Sequence, residues 1–208
     1  VELPFAGHPT LGSAHALLSS GFVPKRGGTL VQECGVGLVR LTTSDDGIRF
    51  AMPDARFQAV ARDIRTLLDE AIGASVQDTP AIVDIGIRWL TAPVASGELL
   101  RSLHPNMAKL AALALQTGAN GINLFGLDGD TVEVRSFAPH EGTNEDPVCG
   151  SGNGAVAYYL RERRGALDYR ARQGRCVGRD GHISVAHEGG TIWLGGHAVN
   201  CIEGMIQA

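Results

Sequence analysis

Apolar positions in this chain repeat with two different periods. Leu11, Ala14 and Leu18 recur at helical spacing and stop at Gly21, and Val156, Tyr159 and Leu160 do the same before Gly165. That spacing puts apolar side chains on one helix face, and a glycine just past the last periodic residue is a common helix end. Two further stretches read as helices. Residues 61–72 carry Ile64, Leu67, Leu68 and Ile72 before Gly73, and residues 106–116 carry Met107, Leu110 and Ala114. Short strand-like runs fill the remainder: 29–33, 36–42 and 47–52 after the first helix, then 88–90, 121–125 and 131–137, then 174–177, 182–187, 191–194 and 198–206. Turns at Ser44-Asp45-Asp46-Gly47, Arg179-Asp180-Gly181 and Glu188-Gly189-Gly190 separate them. The pattern predicts mostly short antiparallel strands with one helix inside each half.

The halves echo one another. Glu2-Leu3-Pro4-Phe5-Ala6-Gly7 resembles Glu145-Asp146-Pro147-Val148-Cys149-Gly150, and in that register Ala14 meets Ala157 and Leu17 meets Leu160. Both stretches run straight into a helical pattern, as a duplicated unit would. Linker-like residues 73–80 place the division there, giving units of 1–76 and 77–208.

Composition narrows the class. At 44% hydrophobic and 19% charged, the 208 residues can bury a core rather than stay disordered. The 28 glycines with no strict period favour a turn-rich β protein over collagen. A net charge of −4 argues against a nucleic-acid partner, which asks for a basic face. No apolar run approaches the ~20 residues that span a bilayer, so no membrane is expected. Cys34, Cys149, Cys176 and Cys201 are far apart and form no C-x-x-C pair, so they read as reduced thiols of a cytoplasmic protein. The histidines show no metal-ligand spacing, and no metal is expected. The small charged fraction makes self-association into a homodimer an expectation.

Chemistry concentrates in Glu145-Asp146-Pro147-Val148-Cys149-Gly150-Ser151-Gly152-Asn153-Gly154. Two carboxylates precede a thiol and a glycine-rich turn that opens a helix. Backbone N–H groups there face outward and the helix dipole favours an anion, such as a substrate carboxylate or a developing enolate. The other reading is a tight turn that needs glycine, capped by Asp146 or Ser151. Cys149 at a helix start has the setting for a lowered pKa and a role as base or nucleophile; its other reading is a small buried thiol. In the first half, His8 stands where the second has Ser151, just before Pro9. A dipole that disfavours its cation suits it to proton transfer near neutral pH. Alone it would read as a histidine that satisfies local backbone. The echo puts it opposite a second polar helix start, and an interface between halves is a common ligand site. His140, shortly upstream of the carboxylate pair, is a further neighbour, and Trp89 and Trp193 read as core.

Glu2-Leu3-Pro4-Phe5-Ala6-Gly7-His8-Pro9-Thr10, Arg135-Ser136-Phe137-Ala138-Pro139 and the Glu145–Gly154 motif together resemble the phenazine-biosynthesis PhzF-like family. Gln173-Gly174 and Gly178-Arg179 fit its later strands. The resemblance implies an α+β, diaminopimelate epimerase-like fold: two similar domains, each a barrel-like antiparallel sheet around a central helix, with the site in the cleft between. It implies cofactor-independent proton transfer at carbon of a small carboxylate-bearing metabolite. His8 and Asp146 match the family's site histidine and aspartate, while Gly7, Gly150 and Ser151 match positions lining the site. With Cys149 counted among the catalytic candidates, the expected substrate-binding set is Gly7, Glu145, Gly150, Ser151 and Gly152. The family's acid–base glutamate lies upstream of Gly-His-Pro, so the expectation is a longer protein or a second chain that supplies it. Cys149 stands where many relatives carry Thr and where racemases of the same fold place one of two thiols; the echo puts Ala6 at the other, which disfavours a two-thiol racemase. The alternatives are therefore an amino-acid racemase or epimerase using Cys149 alone, or a non-catalytic binding member of the fold.

Overall fold

The computed structural model describes residues 4–44 and 47–205. In chain order the elements are α1 (Gly7–Ser19), β1 (Thr29–Cys34), β2 (Gly37–Ser44), β3 (Gly47–Ala51), β4 (Arg56–Ala59), α2 (Arg62–Ile72), β5 (Ala81–Asp84), β6 (Arg88–Pro93), α3 (Gly97–Ser102), α4 (Met107–Thr117), β7 (Gly121–Asp128), β8 (Thr131–Ala138), β9 (Thr143–Asp146), α5 (Gly150–Arg164), β10 (Tyr169–Gln173), β11 (Gly181–Glu188) and β12 (Thr191–Gly196). The fold is α+β. Among the described residues the strands form one sheet in the order β1-β2-β3-β12-β11-β10-β8-β7-β6-β5-β4, with β9 paired to β8. Two pairs are parallel, β6 with β7 and β8 with β10. Each is joined through helices, because a tight turn cannot reverse the chain twice.

The helices follow the apolar period. Ile64, Leu68 and Ile72 are the buried stripe of α2, and Gly73 closes it at φ 72°. Asn106 caps α4 by accepting the Lys109 N–H at 3.0 Å. In α1 the buried stripe is Gly7, Thr10 and Ala14, and the expected Leu11 and Leu18 are only partly buried beside it. Helix α5 is buried continuously from Gly152 to Leu160, which marks a helix enclosed on all sides rather than an amphipathic one.

The alternation of β5 to β8 serves two cores. Val83, Trp89, Phe125 and Val134 face the core around α5, while Ile82, Leu90, Leu124 and Phe137 face the one built with α2, α3 and α4. The division expected at 76/77 put β4 and α2 with the first half. Instead β4 pairs with β5 and the apolar stripe of α2 packs in the second core, so the change of core comes before the linker-like stretch.

Two strand expectations are corrected. Around residues 174–177 the chain makes a 3-10 turn, Arg175–Val177, because Gly174 at φ 97° and Gly178 at φ 70° bend it away from the sheet. Residues 198–205 pair with no described strand and leave Val199, Ile202 and Met205 exposed; Ile206 lies outside the described residues. In the β2–β3 hairpin Ser44 pairs with Gly47, and Asp45 and Asp46 between them lie outside the described residues, as do Glu2 and Leu3 of the internal echo. No helix among the described residues is long and apolar enough to cross a membrane.

Candidate active site

The two echoed helix starts meet. A Cβ on Gly150 would stand 3.2 Å from Gly7 Cα, and one on Gly7 would stand 3.0 Å from Phe50 Cζ. Glycine on both helices leaves that approach uncrowded. The first N–H groups of a helix have no partner within it. Here Cys149 N–H is taken by Gln173 and Gly152 N–H by Cys149 Sγ, and Pro9 has none to offer. Among the described residues the N–H groups of Gly7, His8, Gly150 and Ser151 are left without a protein acceptor. A cleft of about 150 Å³ opens beside them, walled by Gly7, His8 and Gly150 and, from β12 and beyond, Gly195, Gly196 and His197.

Asp146 ends β9, opposite Ser136 of β8. Its Oδ1 accepts the Val148 N–H at 3.0 Å, which fixes the turn into α5. Burial pushes its carboxyl above the ordinary aspartate range, opposed by that N–H, by the charge of His8 and by Cys149. The charge of His8, at the start of α1, thus reaches Asp146, at the end of β9. Ser151 accepts the Trp89 indole N–H at 3.1 Å, so a core residue also holds the first hydroxyl of α5.

Three site expectations are corrected. Burial, and next the charge of Asp146, push the Cys149 thiol up to about 12, reversing the lowering expected from the helix dipole. The thiol caps α5 by accepting the Gly152 N–H at 3.2 Å. Glu145, expected to bind substrate, points away from Asp146, as neighbours on a strand do. Its carboxylate takes both arms of Arg135, at 2.9 and 2.7 Å, and Arg135 donates onward to the carbonyls of Leu100 and Leu103. Gly152 is closed to a ligand, since Asn123 Nδ2 donates to its carbonyl at 2.6 Å and a Cβ would stand 2.5 Å from Ser136 Oγ. His140 sits with Glu141 in the 3-10 turn before β9.

Sequence reasoning missed a buried polar network behind these residues. Asn123, Ser136, Asn153 and Gln173 are each fully buried and bonded to one another or to the start of α5. Single polar residues in strands, such as Asn123, carry no periodic signal, and Ser136, Asn153 and Gln173 stand out in the sequence only through their motifs.

The family model described as phenazine biosynthesis-like protein matches residues 1–204. The chain is 32% identical to antisense-enhancing sequence 1 of Schizosaccharomyces pombe, over 98% of this chain and 75% of that protein. It is 31% identical to the trans-2,3-dihydro-3-hydroxyanthranilate isomerase of Pseudomonas chlororaphis, over 90% of this chain and 67% of that protein. The fold is similar to the crystal structure of a PhzF-family phenazine biosynthesis protein of Bacillus anthracis, with a TM-score of 0.76 at 20% identity, covering 94% of this chain and 74% of that one.

Proposed function

The chain belongs to the phenazine biosynthesis-like protein family and is an isomerase of that family, and from that premise we propose that it moves a proton between carbons of a small carboxylate-bearing metabolite without a cofactor. The observation that carries this reading is the meeting of two helix starts at Gly7 and Gly150, with unpaired N–H groups on both and His8 and Asp146 alongside. An anion placed there receives hydrogen bonds and the positive ends of two helix dipoles. When the acid–base glutamate that the resemblance implies takes the proton of a substrate C–H bond, the electron pair of that bond moves into the adjacent unsaturated system and gives an enolate, and the glutamic acid then holds a proton to return. The same preorganised donors stabilise that charge more than they stabilise the neutral substrate. A new C–H bond at the far end of the unsaturated system then completes the isomerisation. His8 and Asp146 orient the substrate and balance this charge. Binding, orientation and charge stabilisation are the roles this reading gives to the residues at the two helix starts. A cytoplasmic homodimer belongs to the same proposal.

The racemase alternative resting on Cys149 has no observation in its favour, since a thiol held near 12 and engaged as a helix cap is a poor base at neutral pH. The test is turnover of trans-2,3-dihydro-3-hydroxyanthranilate in deuterated water by the chain and by His8→Ala and Asp146→Asn. We expect deuterium in the product and losses of about 10²-fold or more in each variant, the scale of acid–base and electrostatic contributions, with unfolding transitions still cooperative. Unchanged turnover in both variants overturns the assignment of roles.

A further inference from the structure

The residue that joins Asp146 to the helix start lies behind the site, on β10. Gln173 is fully buried. Its Oε1 accepts the Cys149 N–H at 3.1 Å and the Asn153 Nδ2–H at 2.7 Å. Its Nε2 donates to the Asp146 carbonyl at 2.9 Å and to Ser136 Oγ at 3.3 Å. A primary amide has two donor hydrogens and two acceptor lone pairs, so all four hydrogen-bonding positions of this side chain are used. Glutamate would lose the donors on ionising, and asparagine is one methylene short. The network continues from Ser136 to Asn123 at 2.7 Å and from Asn123 to the Gly152 carbonyl at 2.6 Å, so the first turn of α5 is gripped from two sides. Just beyond Gln173, Gly174 at φ 97° lies tight against the Pro147 carbonyl, which keeps the same turn close to β10.

We propose that Gln173 is a positioning residue: it locks the turn from Asp146 to Cys149 onto the start of α5, and so sets both the place of the Asp146 carboxyl and the aim of the free Gly150 and Ser151 N–H groups. The inference rests on reading those groups as the site. Its consequence is that the alignment of the reacting groups is controlled from a strand that does not line the cleft beside Gly7 and Gly150. The titratable groups that its hydrogen bonds reach are those of Asp146 and Cys149, through their main chains, so its own hydrogen bonds carry no net charge into the site.

The test uses the full chain labelled with carbon-13 at aspartate carboxyls, the Asp146 resonance being assigned by its loss in Asp146→Asn. Titration of that resonance, thermal unfolding and turnover of trans-2,3-dihydro-3-hydroxyanthranilate are followed in Gln173→Leu, in Gln173→Glu and in Leu90→Ala. The last removes packing from the second core, on the other face of the sheet. In Gln173→Leu the turn loosens and hydrates. Asp146 titration should move down toward the ordinary carboxylate range, and kcat should fall at least tenfold while KM changes less. Leu90→Ala should lower Tm and leave the Asp146 titration where it was. In Gln173→Glu the neutral acid keeps the carbonyl acceptor and one donor, so titration and turnover should approach those of the unaltered chain at acid pH and depart from them as the introduced carboxyl ionises. An unmoved Asp146 titration in Gln173→Leu, or an equal movement in Leu90→Ala, overturns the proposal. If Gln173→Leu does not fold, the pH series of Gln173→Glu decides in the same way. A chain that fails to turn over the substrate counts against the proposed function alone, because the titration still decides the role of Gln173.

Discussion

Cys149 and Asp146 lie three residues apart and burial acts on both, yet the consequences differ. The thiol is held neutral and serves as the cap of α5. The carboxyl is only partly buried, and the Val148 N–H and the charge of His8 oppose the burial that raises it. Serine is a strong N-cap, so Cys149→Ser should keep the cap, stay within about 1 kcal/mol of the original stability and retain turnover within a few-fold. Urea denaturation and the deuterium assay check this, and a loss on the scale of His8→Ala would instead give the thiol a chemical role. What the sequence could tell at this scale follows the physics. His8, Asp146 and the glycines are legible because they stand in short motifs at helix starts. Glu145 is misleading because residue identity does not say to which face of a strand a side chain turns. Trp89 reads as core and is core, and only its indole partner goes unseen, because Ser151 is 62 residues away in the chain.

At the level of elements, the internal echo is the informative signal, since α1 and α5 do meet end to end at Gly7 and Gly150. Helix periods are legible because each period turns one face to a core. Short strands such as β4, β9 and β10 are not, because four or five residues hold too little alternation to separate from a loop. Residues 198–206 carry apolar residues that read as a strand, yet a strand exists only with a hydrogen-bonding neighbour, and residues 198–205 have none among the described residues. The meeting of helices predicts the effect of crowding it. In Gly7→Ala the new methyl stands 3.0 Å from Phe50 Cζ and 3.2 Å from Gly150 Cα. Such overpacking costs about 1–3 kcal/mol, and the relief available is for α1 to move away from α5. Turnover should therefore fall much further than stability. Paired kinetic and denaturation measurements check this, and full activity at reduced stability would show that the two helix starts need not touch.

The whole molecule is held around α5. The hydroxyl of Tyr158 donates to the Pro53 carbonyl and that of Tyr159 to the Thr79 carbonyl, both at 2.7 Å, so one buried helix is tied to the segments leading into β4 and β5. A rigid frame of this kind holds Asp146 in a place that is unfavourable for its charge, and global stability should register it. Because burial raises its carboxyl, the folded state binds a proton that the unfolded state has begun to release. Below the ordinary aspartate value of about 3.9 the group is neutral in both states and its contribution is complete. As pH rises the unfolded chain ionises first, and the contribution is lost until the folded carboxyl has ionised too. Asp180 is shifted the other way by Arg172 and His182, so its contribution changes with the opposite sign at lower pH. Asp146→Asn keeps a side-chain acceptor for the Val148 N–H and removes the carboxyl titration with its charge. The difference between the two denaturation curves against pH therefore reports Asp146 together with its coupling to the Cys149 thiol, which titrates far above this range. The variant should lose turnover, decline less in stability above the ordinary aspartate titration, and end more stable than the unaltered chain at neutral pH. A variant that is less stable at neutral pH would mean that the Asp146 charge is satisfied in the folded protein, and that its place at the helix starts is structural.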